Sequence, residues 1–138
     1  MSPNLIRIIL VEDHAMVRET YKQLFKDISH VEVAGECSNG KDAVNLAKEK
    51  NPDIALVDVN MLPVDGFQTT RNISEATPEV KVIGLSMNTH PSYARKMIDS
   101  GAKGYITKSS PFPEIIKAIE TVHAGEIYIC EEVKNRME

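Results

Sequence analysis

Short apolar runs, separated again and again by longer stretches with helical spacing, restrict the fold of this chain more than any other feature. The runs are Leu5 to Val11, Val31 to Glu36, Ile54 to Val57, Val80 to Leu85 and Gly104 to Thr107. They are brief and rich in β-branched residues, as strands buried on both faces must be. Between the first two, Val17, Tyr21, Leu24 and Ile28 recur at one-turn spacing and give a helix an apolar stripe to lay on a sheet. Asn39 reads as the N-cap of a second helix through Lys50, which Asn51-Pro52 stops; Gly66 opens a third that ends before Pro78. Pro91 fits the first turn of a fourth helix that Gly101 closes in the left-handed conformation, and Ile115, Ile119 and Val122 stripe a fifth. Five strands alternating with five helices predict an α/β doubly wound parallel sheet, because right-handed crossovers place helices on both faces.

The 138 residues suffice for one domain with a proper core, and 42% hydrophobic with 26% charged residues is an ordinary globular composition. No apolar run approaches the roughly 20 residues that span a bilayer, and no signal-peptide pattern opens the chain, so a cytoplasmic location is expected. Sixteen basic against twenty acidic residues give a net charge of -4, which supplies no positive field for a nucleic-acid backbone. Direct DNA binding by this chain is therefore not expected. Cys37 and Cys130 lie far apart without close-spaced partners, which suits free thiols better than a disulfide or a zinc site. The four histidines, His14, His30, His90 and His123, are scattered and read as surface or loop residues; His14 alone is near the site described next.

In open α/β sheets the functional crevice lies beyond the carboxyl ends of the strands. The first run ends in Glu12-Asp13 and the third in Asp58, with Asn60 two residues on; the fourth ends in Leu85-Ser86 and the fifth in Thr107-Lys108. An acidic pair alone on a loop would be no more than a helix cap. If Asp58 lies at a neighbouring strand end, three carboxylates converge, and like charges so placed need a cation to compensate them. Magnesium is the natural one, since it takes a couple of carboxylates and fills its other positions with water and phosphate oxygens. A strand-end serine or lysine taken singly is a turn residue or a solvated charge. Together on successive strands they supply the hydroxyl and ammonium that a phosphoryl group in transfer requires.

These residues resemble the response regulator receiver domain. The marks are Leu10-Val11-Glu12-Asp13, Val57-Asp58 followed by Met61 and Asp65-Gly66, Leu85-Ser86, and the run from Gly101 to Lys108. The resemblance covers about Leu5 to Gly125 and implies a flavodoxin-like sheet of order 2-1-3-4-5 with the site between the first and third strands. It makes Asp58 the phosphoacceptor, gives Mg2+ the ligands Asp13, Asp58 and the Asn60 carbonyl with Glu12 acting through water, and assigns phosphoryl oxygens to Ser86 and Lys108. Tyr105 matches the switch position, whose ring turns inward as the hydroxyl residue moves toward the phosphate. Asp13-His14, Leu85-Ser86-Met87 and His123-Ala124-Gly125-Glu126-Ile127-Tyr128 are similar to the NarL/FixJ-type subfamily, in which a helix-turn-helix DNA-binding domain follows.

The resemblance further implies a sensor histidine kinase as phosphoryl donor, control of an output such as transcription, and a readout surface on the fourth helix, fifth strand and fifth helix. A homodimer is expected through that surface or through the first and fifth helices. Residues 126–138 read as a C-terminal tail or the start of a linker, which favours a receiver from a longer transcription factor over a natural single-domain regulator. Two departures stand out: Leu62 holds a place usually taken by proline, with Pro63 one later, and Ser109 rather than proline follows Lys108. Ser109 and Ser110 are candidates to cap the last helix. Two rival functions fit less well: an unphosphorylated pseudo-receiver that only binds proteins would be expected to lack one of the key residues, and a small hydrolase would need a substrate-cradling motif that is missing.

Overall fold

The apolar runs fold as adjacent parallel strands, and the computed structural model describes them within residues 5–137. In chain order the elements are β1 (Ile6–Val11), α1 (Ala15–Lys26), β2 (Val31–Cys37), α2 (Gly40–Lys50), β3 (Ile54–Asp58), α3 (Gly66–Ala76), β4 (Lys81–Ser86), α4 (Pro91–Asp99), β5 (Gly104–Thr107) and α5 (Phe112–His123). Two further elements follow, β6 (Tyr128–Ile129) and α6 (Glu131–Lys134). The strand order is β2-β1-β3-β4-β5-β6, every pair parallel. The chain thus changes winding direction between β1 and β3, and that reversal opens a crevice at their carboxyl ends.

The central strands are buried as their composition requires. Ile8, Ile9, Leu10 and Val11 of β1, Ile54 to Val57 of β3, and Val82 and Ile83 of β4 form the middle of the core. The expected caps are in place. Asn39 accepts a hydrogen bond from the Asp42 amide at the start of α2, Asn51 closes that helix in the left-handed region, and Pro91 begins α4. Gly101, at φ +114°, makes the turn out of α4 into β5.

Three expectations need correction. The sheet has six strands, not five: the segment after Gly125 does not hang as a tail, because Tyr128 and Ile129 pair with Gly104 and Tyr105, and a short helix follows. The inward stripe of α1 runs through the half-buried Val17 and Tyr21 to the buried Phe25, whereas Leu24 is exposed and Ile28 lies beyond the helix. Phe25 wins because its ring meets Phe112 edge-on, with centroids 5.1 Å apart. Finally, α5 starts at Phe112 with Pro111 at the N-cap and no side-chain cap, and the Ser109 and Ser110 hydroxyls lie against Thr107 instead.

Candidate functional site

Each strand of the inner sheet delivers one side chain to the crevice. Glu12 directly follows β1 and is 3% exposed, while Asp58 closes β3 and is 1% exposed. Ser86, fully buried, closes β4, and Lys108 follows β5. Parallel register places these ends side by side: Val11 pairs with Val57, Asp58 with Leu85, and Ser86 with Thr107. The start of α3 presses up from beneath, where a Cβ on Gly66 would collide with Val59 Cα and come within 2.7 Å of the Asp58 carbonyl. Only glycine lets the helix approach the loop after Asp58 this closely.

The Lys108 ammonium sits 3.2 Å from Glu12 Oε1 and 3.2 Å from Asp58 Oδ1, so one cation bridges the carboxylates of β1 and β3. Asp58 Oδ1 also accepts a hydrogen bond from the Asn60 amide at 2.9 Å. Asp13 is exposed at the rim, and donor atoms of Glu12, Asp13, His14 and Asp58 all fall within 4.8 Å of one another. Glu12 Oε1 is buried and has no hydrogen bond, only the nearby ammonium. Burial pushes the Glu12 carboxyl above its usual range, and the Asp58 charge adds to this against the bonds from His14. Burial pulls the Lys108 ammonium the other way, but the charges of Asp58 and Glu12 outweigh it and its pKa ends up raised. An unsatisfied buried carboxylate oxygen among oxygen donors, with more negative than positive charge, fits a hard divalent cation.

The β4–α4 side is hydrogen-bonded internally. Asn60 Oδ1 accepts from the Met87 amide, Ser86 Oγ accepts from the Asn88 amide at 3.0 Å, and the Tyr105 hydroxyl donates to the Asn88 carbonyl at 2.7 Å. The Tyr105 ring is fully buried, and burial pushes its hydroxyl up to about 12. The structure therefore brings together all the residues singled out from the sequence, with Tyr105 turned inward. Among the described residues the one cis peptide is Leu62–Pro63, and Lys108 reaches both carboxylates with an ordinary trans bond to Ser109.

Sequence reasoning placed His14 near the site without its contacts, and missed Arg18. His14 is close to the site as expected, but it also buttresses it, its Nδ1 lying 3.0 Å from Glu12 Oε2 and 2.9 Å from Asp13 Oδ1. The Glu12 hydrogen bond and the Asp13 charge raise its pKa. Arg18 donates from Nη1 to the Glu12 carbonyl at 2.6 Å. Its place one turn of α1 after His14 is the only signal that could have found it.

A doubly wound domain whose reversal point gathers three carboxylates, two of them bridged by a lysine, defines a class of α/β domains with an acidic pocket at the carboxyl ends of the strands. The comparisons narrow the class. The family model of the response regulator receiver domain matches residues 8–120, and the chain belongs to that family. Among curated relatives, response regulator UvrY of Escherichia coli is 34% identical over 133 residues, covering 96% of this chain and 61% of the relative. Transcriptional regulatory protein DegU of Brevibacillus brevis is 33% identical over 137 residues, covering 99% of this chain and 58% of the relative. The chain thus spans about three fifths of the length of such relatives.

Among solved structures, a LuxR-family two-component response regulator from Aurantimonas superposes with a TM-score of 0.92 at 31% identity, covering 96% of this chain and 95% of that one. The isolated REC domain of RcsB from Salmonella enterica serovar Typhimurium, at 22% identity and TM-score 0.88 over 98% and 100% of the two chains, supports the fold alone. The chain is a response regulator receiver domain of two-component signalling, of the NarL/LuxR type. Among the described residues no helix is long and apolar enough to cross a membrane.

Proposed function

We propose that Asp58 accepts a phosphoryl group from the phosphohistidine of a sensor histidine kinase, and that the phosphorylated domain controls transcription through a DNA-binding domain in a longer cytoplasmic protein. The observation that carries this reading is Lys108 held 3.2 Å from both Asp58 Oδ1 and Glu12 Oε1 in a buried pocket. Asp58 Oδ1 is occupied by Lys108 and the Asn60 amide, which leaves Oδ2 to attack phosphorus. The new P–O bond forms as the P–N bond breaks, and the imidazole leaves with the electron pair of that bond. Lys108 and the hydroxyl of Ser86 meet the phosphoryl oxygens. Asp13, Asp58 and the Asn60 carbonyl, with Glu12 through a water, would hold Mg2+, which would supply charge neutralisation for those oxygens. Water later attacks the phosphorus of the acyl phosphate, the Asp58 Oδ–P bond breaks, and inorganic phosphate leaves as Asp58 returns to a carboxylate.

Phosphorylation selects between two arrangements of Ser86 and Tyr105 by binding one of them better. A homodimer through α4–β5–α5 or α1–α5 belongs to the same proposal. The test is the intact mass of the protein after incubation with Mg2+ and a small acyl-phosphate donor, beside Asp58→Ala. One added phosphoryl group that vanishes in the variant and on chelation is the expected result. A protein that stays unmodified and binds no Mg2+ is a pseudo-receiver.

A further inference from the structure

The segment expected to be a tail grips both sides of the site. It adds β6 to the outer edge of β5, with the Tyr128 amide on the Lys103 carbonyl and the Cys130 amide on the Tyr105 carbonyl, each at 3.0 Å. Tyr128, Cys130 and Val133 are buried beneath it. Glu114 Oε2 at the start of α5 accepts from the Tyr128 hydroxyl at 2.8 Å and from the Glu131 amide at 2.9 Å. From α6, Glu132 Oε1 accepts hydrogen bonds from Thr107 Oγ1 at 2.8 Å and Ser109 Oγ at 3.0 Å, the two residues that flank Lys108. Just past α6, Arg136 donates to Thr89 Oγ1, next to the Asn88 whose backbone holds both Ser86 and Tyr105.

We propose that residues 126–137 are part of the switch: Glu132 is a positioning residue that holds the Thr107–Ser109 loop carrying Lys108, and Arg136 ties the β4–α4 loop to the same segment. This rests on the phosphoacceptor reading of Asp58. With the segment docked, Lys108 is already aimed at Asp58, so docking favours the phosphorylated state. Coupling between two sites is reciprocal, and phosphorylation must then tighten the docking. Glu132 acts through hydroxyl hydrogen bonds that a glutamine amide oxygen can also accept and an alanine cannot. The segment also closes the open edge of β5, so its release would expose a strand edge beside the expected readout surface.

Amide hydrogen exchange on the full 138-residue chain tests this, with and without Mg2+ plus beryllofluoride as a phosphoryl mimic. Peptides over residues 126–132 should exchange more slowly with the mimic, by on the order of fivefold. Glu132→Ala should remove that increment and shorten phosphoryl retention on Asp58 by a similar factor, and Glu132→Gln should restore both. Glu132 and Arg136 are both exposed, so these variants should unfold at the parent's temperature, and Arg136→Ala gives a second, independent route to the loosened segment. If peptides containing Asp58 and Asn60 respond to the mimic while β6 does not, the coupling is wrong and the phosphoacceptor reading stands. If neither responds, both fall. If Glu132→Gln behaves like Glu132→Ala, Glu132 does not act by positioning the hydroxyls.

Discussion

Two clusters of carboxylates and cations sit near α1, built from the same residue types to opposite effect. In the first, Glu36 on β2 gives each oxygen its own partner, Oε1 to Arg18 Nε at 3.0 Å and Oε2 to Lys22 Nζ at 2.6 Å, and Lys22 also reaches Glu19. The Lys22 hydrogen bond, aided by Arg18, holds the Glu36 carboxyl below its usual range. In the second, Glu12 and Asp58 share the half-buried Lys108 ammonium, Glu12 and Asp13 share the exposed His14 imidazole, and burial drives the Glu12 carboxyl up. The first cluster is electrostatically complete and half in water, where such pairs contribute roughly 0–1 kcal/mol. The second is left short of positive charge where desolvation is costly. A structural ion network satisfies itself; a binding site keeps part of its demand open for what it binds.

The sharpest way to break this contrast is to remove the half-buried ammonium of Lys108. Lys108→Ala should slow phosphorylation by a small acyl-phosphate donor by about a hundredfold at saturating Mg2+, the size expected for losing one donor to developing negative charge. The time course of intact mass measures it, and an unchanged rate would mean that Lys108 only offsets resting charge. Next in size is Gly66→Ala, whose methyl would strike Val59 Cα beneath the loop after Asp58. It should cost about 2 kcal/mol in urea unfolding, as overpacking against backbone does, and full stability would show that α3 can retreat. Smaller still is Glu12→Gln. Relieving the charge crowding should stabilise the Mg2+-free protein by about 1 kcal/mol, a rise of a few degrees in Tm, while titration calorimetry shows weaker Mg2+ binding. A Tm that falls would place Glu12 with the self-satisfied kind of cluster.

The same contrast explains what could be read in the sequence. Strand runs, winding and the residues at the carboxyl ends were legible because they obey short-range rules: Val11 and Val57 lie in apolar runs, and Glu12 and Asp58 come just as those runs stop. Gly66 and Gly101 announced their turns in the same way. The stripe of α1 shifted by one position because Leu24 and Phe25 both fit helical spacing, and only the ring of Phe112, far along the chain, decides between them. The sixth strand escaped for a related reason. Tyr128 and Ile129 are too brief to register as a strand on their own, and they form one only because β5 offers an unpaired edge. The contacts of Glu132 and Arg136 with Thr107 and Thr89 likewise span 25 and 47 positions and leave no local pattern.

The smallest effect tests the complete cluster by itself. The Glu36 carboxyl ionises below its ordinary value of 4.5 in the folded chain, so its contribution to stability is fully present above the unfolded-state pKa. It is lost as pH falls through the depressed folded value. Glu36→Gln should therefore cost about 0.5 kcal/mol at neutral pH, allowing for solvent screening. The difference in Tm between parent and variant should shrink steadily below about pH 4.5 and also on going to about 1 M salt. Differential scanning calorimetry over that range reads both trends. A difference that persists in acid and in salt would mean that Glu36 contributes through the fit of its two acceptor oxygens to Arg18 and Lys22, one of which a glutamine NH2 would spoil. The cluster would then be held together by contact rather than by charge, and the lowered carboxyl would be a consequence of the fold instead of one of its supports.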